Sequence, residues 1–284
     1  MYTPKFPQLN IFLEHIFEGA EQQSISPEKM LAYAREAGYE GLECDLWRLA
    51  QRAETKALFD SCGLSAASVY NCYDMGHEAE SITRDKIKEH LDTAAYFGAK
   101  KVLSVAGFIA PEDNFEAVRE KMAENLSFMC EEAKQYGITV TLEDFDDEAA
   151  PYSDADGLLW FMENVNGLKF TFDTGNFAYS LENAEEAYLK LRKYVAHVHL
   201  KDRSRDSSRK NAADTNGKAD LSGKIMYPCE ACGGYIGIEG IVKKLLEDGY
   251  RDSFSVEHFG AADQLLYMRR SAENLLNIFK ECLK

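Results

Sequence analysis

No stretch of this 284-residue chain approaches the roughly 18–20 consecutive apolar residues that a membrane span requires. Its first ten residues, MYTPKFPQLN, lack the apolar core of a secretory signal. Basic residues are scarce: 32 Lys and Arg stand against 48 Asp and Glu, a formal net charge of −16. A surface with that excess repels nucleic-acid phosphates and anionic lipid, so neither nucleic acid nor membrane is expected as a partner. No Gly-rich phosphate loop follows an early strand, which speaks against an open dinucleotide-binding sheet. The seven cysteines are odd in number and scattered, so no disulfide framework is expected. Together these absences lead to the expectation of a cytoplasmic protein with reduced thiols.

What is present is an alternation of strand-like and helix-like segments from end to end. Strands are predicted at about 8–14, 39–45, 64–71, 100–106, 138–143, 168–173, 195–200 and 253–258. The clearest helical pattern covers 112–136, where Phe115, Val118, Met122, Leu126, Met129 and Ala133 recur at spacings of three and four. That spacing makes Met122 and Met129 core residues. A second helix is predicted over 85–97. Gly38, Gly63, Gly98, Gly137, Gly167 and Gly249 each fall shortly before a strand, as left-handed helix stops do. Eight such units in a chain of this length predict a single domain over 1–284, an α/β protein built as one (β/α)8 TIM barrel.

The later strands carry the chemistry. In ITVTLEDF, LKFTFDTGNF, VAHVHLKD and FSVEHF, side chains alternate with period two. Glu143, Asp173, His199 and Glu257 all fall on the more polar parity, at or near the C-terminal end of their strand. Three carboxylates and one imidazole converging there suit a divalent metal that accepts oxygen and nitrogen ligands. Isolated carboxylates gathered in a lumen repel one another, and a bound cation relieves that repulsion.

One segment breaks the rhythm. Residues 202–236 are too long for an ordinary connection after a strand. From Lys201 to Lys224, seven basic residues meet four acidic ones, a local excess of basic charge in an acidic chain. The segment is expected to rim or cover the barrel mouth, with some of Lys201, Arg203 and Arg205 facing the pocket.

The pieces GYEGLECD, TLED, FDTGN, HVHLKD and GYRDSFSVEHF, in this order, make the chain resemble the xylose-isomerase-like barrel superfamily of sugar phosphate isomerases and epimerases. The resemblance implies one divalent ion, Mn²⁺, Mg²⁺, Co²⁺ or Zn²⁺, held by Glu143, Asp173, His199 and Glu257. It implies a small sugar, sugar phosphate or polyol as substrate and, at most, further copies of the chain as protein partner. Isomerisation or epimerisation through an enediolate follows, with Glu143 and Glu257 as the groups that move the proton. An inosose-type dehydratase and a non-catalytic sugar-binding barrel stay open as alternatives. The endonuclease IV branch is disfavoured, because Asn176 stands where relatives carry a histidine, and His15, His77 and His90 do not supply its motif.

Further candidates are less sharply marked. Lys201, Asn176, His197, Glu43 and Arg203 are expected at the substrate, with packing or an ion pair as the plainer role for each. Asp45, Asn71, Tyr73 and His15 end or follow early strands, where specificity residues sit in a barrel. Cys229 and Cys232 form a lone CxxC with no second pair, so two free loop thiols are expected rather than a zinc site.

Overall fold

A computed structural model describes residues 6–210 and 217–283. Eight parallel strands close on themselves: β1 (Gln8–Phe12), β2 (Gly41–Asp45), β3 (Ser65–Cys72), β4 (Lys101–Val105), β5 (Thr139–Glu143), β6 (Lys169–Asp173), β7 (Val195–Ser204) and β10 (Ser253–Glu257). Each pairs with the next in chain order, and β10 pairs with both β7 and β1. The eight predicted strands are all present, within a few residues of their expected ends.

The period-two pattern becomes two environments. Outward-facing residues such as Ile11, Leu42, Val140, Phe170, Leu200 and Val256 are buried beneath the helices. The helices are α1 (Leu13–Gln22), α2 (Pro27–Ala37), α3 (Arg52–Cys62), α4 (Glu80–Phe97), α5 (Phe115–Ala133), α6 (Ala155–Asn164), α7 (Ala184–Leu191), α8 (Ile238–Glu247) and α9 (Gln264–Cys282). Met122 and Met129 of α5 are fully buried, as their spacing requires. Side-chain caps open several helices: Ser26, Asn114, Asp154 and Asp263 each accept a backbone N–H of the first turn. The six predicted stop glycines all have positive φ, from 63° at Gly137 to 110° at Gly38.

Inward-facing residues are largely polar. Asn10, Glu43, Ser68, Lys101, Thr141, Thr171, His197 and Ser255 are all buried in or at the floor of the lumen. They satisfy one another across strands: Thr171 Oγ1 donates to Thr141 Oγ1 at 2.7 Å, and that hydroxyl donates to Val102 O at 3.1 Å.

The insertion is more ordered than its composition suggests. β7 runs four residues past its expected end. Asp202, Arg203 and Ser204 then pair antiparallel with β9 (Ile225–Cys229), and β9 pairs with β8 (Lys218–Ala219). Asp202 ties the base of this ribbon by accepting N–H groups of Arg203, Gly234 and Ile236. Residues 211–216 of the predicted insertion lie outside the described residues. Among the described residues, no helix is long and apolar enough to cross a membrane.

One buried histidine links the fold to pH. His90 of α4 lies against β3, with Nε2 3.0 Å from Val69 O and Nδ1 2.8 Å from the Tyr73 hydroxyl. A carbonyl can only accept, so Nε2 carries the proton and Nδ1 accepts from Tyr73. Burial lowers its pKa from 6.5 to about 4, only partly opposed by the bond to Val69. The unfolded chain therefore binds one more proton between those values, and stability falls as pH falls from 6.5 towards 4. At about 1.4 kcal/mol per pH unit the loss is on the order of 3 kcal/mol across the window. Denaturant unfolding of the native protein and of His90→Gln, measured at steps from pH 7 to 4.5, should show a slope shallower by about one proton in the variant. Equal slopes would remove His90 as the cause.

Candidate metal centre

Strand register brings the marked residues together. Asp173 on β6 stands opposite His199 on β7, and Lys201 on β7 stands opposite Glu257 on β10. Glu143 closes β5, whose register places it beside Thr171, one step below Asp173 on the same face. The four candidate ligands converge, with one donor atom from each within 4.8 Å of all the others. All four residues are buried.

The local sequence holds these side chains still. In Asp-Thr-Gly-Asn, Asp173 Oδ1 accepts the N–H of Gly175 at 2.7 Å and of Asn176 at 2.8 Å. This turn passes so close to β7 that a Cβ on Gly175 would sit 2.5 Å from Lys201 O. Only glycine permits that approach. Asn176 then donates to Asp144 O at 2.8 Å and accepts from Lys201 Nζ at 2.8 Å. Lys201 Nζ also lies 2.5 Å from Glu257 Oε1 and 3.7 Å from Asp173 Oδ2.

The charges are unbalanced. Burial raises the pKa of Glu143 and pushes that of Asp173 up to about 7. Asp144, beside them, is driven well above the usual carboxylate range by burial and by the charges of Asp173 and Glu143. Burial works against ionised Glu257 too, but Lys201 and His199 hold its pKa well below normal. Burial likewise disfavours charged His199, yet Glu43 and Glu143 raise its pKa well above that of a free imidazole.

Several atoms aimed at the centre lack partners. Glu143 Oε2, Asp173 Oδ2 and His199 Nδ1 are buried and make no hydrogen bond, although Glu143 Oε2 lies 2.9 Å from His199 Nδ1. Glu257 Oε2 is 3.4 Å from the same nitrogen. A cation bound at roughly 2.0–2.3 Å would hold opposed donors about 4–4.6 Å apart. The donor set, its spread and its unpaired atoms all fit a divalent ion with oxygen and nitrogen ligands.

Above the centre opens a cavity of about 310 Å³. Glu143, Asp146, Asn176, Lys201, Arg203 and Glu257 form its polar side. Phe12, Tyr70, Leu103, Val105, Phe145 and Phe259 form much of an apolar side. Arg203 Nη2 is held by Asp146 Oδ2 at 2.8 Å.

Placement differs from expectation for several residues. Glu43 and His197, expected at the substrate, are fully buried beneath the cluster and do not line the cavity. Of Lys201, Arg203 and Arg205, some of which were expected to face the pocket, the first two line it, while Arg205 is bonded to Asp220 at 2.6 Å and to the carbonyls of Lys224 and Ile225. On β3 the cavity is lined by Tyr70 and Cys72, not by Asn71 or Tyr73. The parity of the strand places 70 and 72 on one face, and that signal was available. His15 stacks on His258, with ring centroids 4.5 Å apart, outside the cavity lining. Asp45 accepts the Trp47 N–H. Asp146, which sequence reasoning missed, belongs to the acidic EDFDD run directly after β5. Cys229 and Cys232 carry free thiols, and no group of potential metal ligands among the described residues includes either.

Fold and site together define an eight-stranded (β/α)8 barrel with three carboxylates and an imidazole converging near the C-terminal ends of its strands. The chain belongs to the xylose isomerase-like TIM barrel family, whose model matches residues 31–278. Solved structures share the fold at low identity. A xylose isomerase-like TIM barrel protein from Mycobacterium smegmatis, in complex with magnesium, is 20% identical with a TM-score of 0.72, over 100% of both chains. The probable 3-DHS dehydratase AsbF from Bacillus anthracis is 18% identical with a TM-score of 0.74, over 95% of this chain and 99% of that one. The D-allulose 3-epimerase from Methylomonas sp., in complex with D-allulose, is 16% identical with a TM-score of 0.73, over 98% and 99%. No curated protein matches the sequence.

The unpaired donors lead to a direct test. Mn²⁺ added to metal-free protein should raise its melting temperature, with stabilisation of about 2.7 kcal/mol at a hundredfold excess over Kd. Chelation should reverse it, and Asp173→Asn or His199→Gln should abolish it. A melting temperature indifferent to Mn²⁺, Mg²⁺, Co²⁺ and Zn²⁺ would refute the centre.

Proposed function

We propose that this protein is a metal-dependent isomerase or epimerase of an uncharged sugar or polyol, working through an enediolate. The observation that carries this reading is the convergence of Glu143 and Glu257 with Asp173 and His199 at the floor of a cavity of sugar size. Its volume lies at the small end of the roughly 300–1,000 Å³ typical of small-molecule sites.

A divalent ion, when bound, supplies Lewis-acid polarisation of a substrate carbonyl and stabilises negative charge on the adjacent oxygens. The chain's own groups do the rest. Glu143 and Glu257 reach the centre from β5 and β10, three strands apart in the closed order. One removes the proton from the carbon next to the carbonyl, and the other returns it. Return to the opposite face epimerises; return to the neighbouring carbon on the same face interconverts aldose and ketose. Asp173 and His199 position the ion. Lys201, fixed by Glu257 and Asn176, orients a substrate oxygen. Phe12, Phe145 and Phe259 cover the apolar C–H face of a sugar and exclude water.

The cavity's cations favour an uncharged substrate. Lys201 is committed to Glu257 and Asn176, and Arg203 to Asp146. A phosphate would have to break one of these buried pairs. The magnesium-bound relative and the D-allulose complex support a metal and a ketose as the first ligands to try.

The test uses Mn²⁺-loaded protein, a panel of free and phosphorylated ketoses and aldoses, and solvent D₂O. A turned-over sugar should acquire deuterium at the carbon next to the carbonyl. Glu143→Gln and Glu257→Gln, with metal content measured in each, should lower turnover by about 10²–10⁴. Complete retention of substrate hydrogen over many turnovers would exclude the two-glutamate route. Product with a new conjugated absorbance would instead mark a dehydratase. Tight sugar binding without turnover would mark a binding protein.

A further inference from the structure

Beneath the candidate ligands lies a layer of polar side chains in which hydrogen bonds run one way. Lys101 Nζ can only donate, and it donates to Ser253 Oγ at 3.3 Å. That hydroxyl lies 3.4 Å from His197 Nδ1 and gives its own proton to it. His197 is left with its proton on Nε2, which meets Glu43 Oε2 at 2.8 Å. Ser255 Oγ donates to the same oxygen at 2.7 Å. Two donors on Oε2 fix the plane of the carboxylate.

The other carboxylate oxygen, Glu43 Oε1, has no hydrogen-bond partner and lies 3.5 Å from His199 Nε2, which has none either. The far side of the same ring, Nδ1, faces Glu143 and Glu257. Ring rotation is resisted on two sides. Phe12 and His197 each pack against His199 near the perpendicular, with centroids 5.1 Å away. Glu43, His197 and His199 are all fully buried, so no solvent competes for these positions.

We propose that Glu43 is a positioning residue of the metal centre: it takes the Nε2–H of His199 and so presents the Nδ1 lone pair to a divalent cation held with Glu143, Asp173 and Glu257. A carboxylate behind a ligating imidazole fixes its tautomer and strengthens it as a donor, and removing such a group weakens metal binding by roughly 10–100-fold. The triangle Glu43–His197–His199 could itself pass for a cation site. However, His197 Nε2 and Glu43 Oε2 are spent on each other, leaving two free donor atoms against the four above. The proposal rests on the four-residue centre and not on the reaction proposed for it.

Zn²⁺ is the probe, since it is diamagnetic. In zinc-loaded wild-type protein, long-range ¹H–¹⁵N correlation should show His199 protonated at Nε2 and zinc-bound at Nδ1. The reverse tautomer overturns the proposal, as does wild-type protein that binds no Zn²⁺. Glu43→Gln places a competing N–H donor where only acceptors fit. Its Zn²⁺ affinity, by competition with a chelating dye, should fall about 10–100-fold. Glu43→Asp, which keeps the carboxylate, should recover part of that loss. A folded Glu43→Gln variant with wild-type zinc affinity also overturns it. Should that variant not fold, the wild-type tautomer decides alone. A correct tautomer and weakened metal binding in a protein that turns over no sugar would sink the proposed function and leave Glu43 in place.

Discussion

Buried negative charge is the constraint on which this molecule's interior depends. Glu43, Glu143, Asp144, Asp173 and Glu257 are all within a tenth of full burial, in a space the closed barrel cannot open. Transfer of several carboxylates out of water is unfavourable unless cations and hydrogen bonds replace the solvent. Lys201 and His199 supply part of that replacement. The remainder shows in the shifted carboxyl groups of Glu143, Asp144 and Asp173, and in one unpaired oxygen on each of the three.

The polar lumen follows from the same constraint. Barrel interiors are usually filled by branched apolar side chains. Here threonines, serines, an asparagine and His197 take those positions, and they orient the groups above them. Removing one partner from such a network leaves a buried polar group unsatisfied, at a cost of about 1–3 kcal/mol. The outward faces of the strands carry the apolar burial instead, against α4, α5 and α9, so the lumen is free to be specialised.

Much of this was legible in one dimension. Strand number, the closed barrel and the four converging residues all follow from period-two parity and its repetition, because parity decides which face of a strand a side chain takes. Depth along the barrel axis does not follow from parity. Glu43 and His197 share the lumen with Glu143 and His199 but sit a layer lower. Register shifts fall at Leu42/Glu43 against β3 and at Phe170/Thr171 against β7, beside both residues. Pairing partners, and hence register, are not encoded locally. The same gap hid the ribbon in the insertion, where Asp202, Arg203 and Ser204 look like loop residues until β9 arrives as a partner. Asp146 was overlooked because its role depends on Arg203, distant in sequence and 2.8 Å away in space.

The ribbon also gives Arg203 its meaning. An arginine in a flexible lid could swing to meet an anionic substrate. This one is the continuation of a barrel strand, paired on one side to Pro228 and capped by Asp146. Lys201, two residues earlier on the same lumen-facing parity, is opposite Glu257 by register and so is equally committed. The two cations of the cavity are therefore parts of the scaffold that fixes two of its carboxylates. Their positive charge is largely spent on those carboxylates, and the wall opposite adds no further cation. Under the function proposed above, recognition would fall to shape, to the oxygens a central ion would take, and to contact between Phe12, Phe145, Phe259 and a C–H face. Such a combination would discriminate by stereochemistry at carbon rather than by charge, as that proposal requires of a neutral substrate.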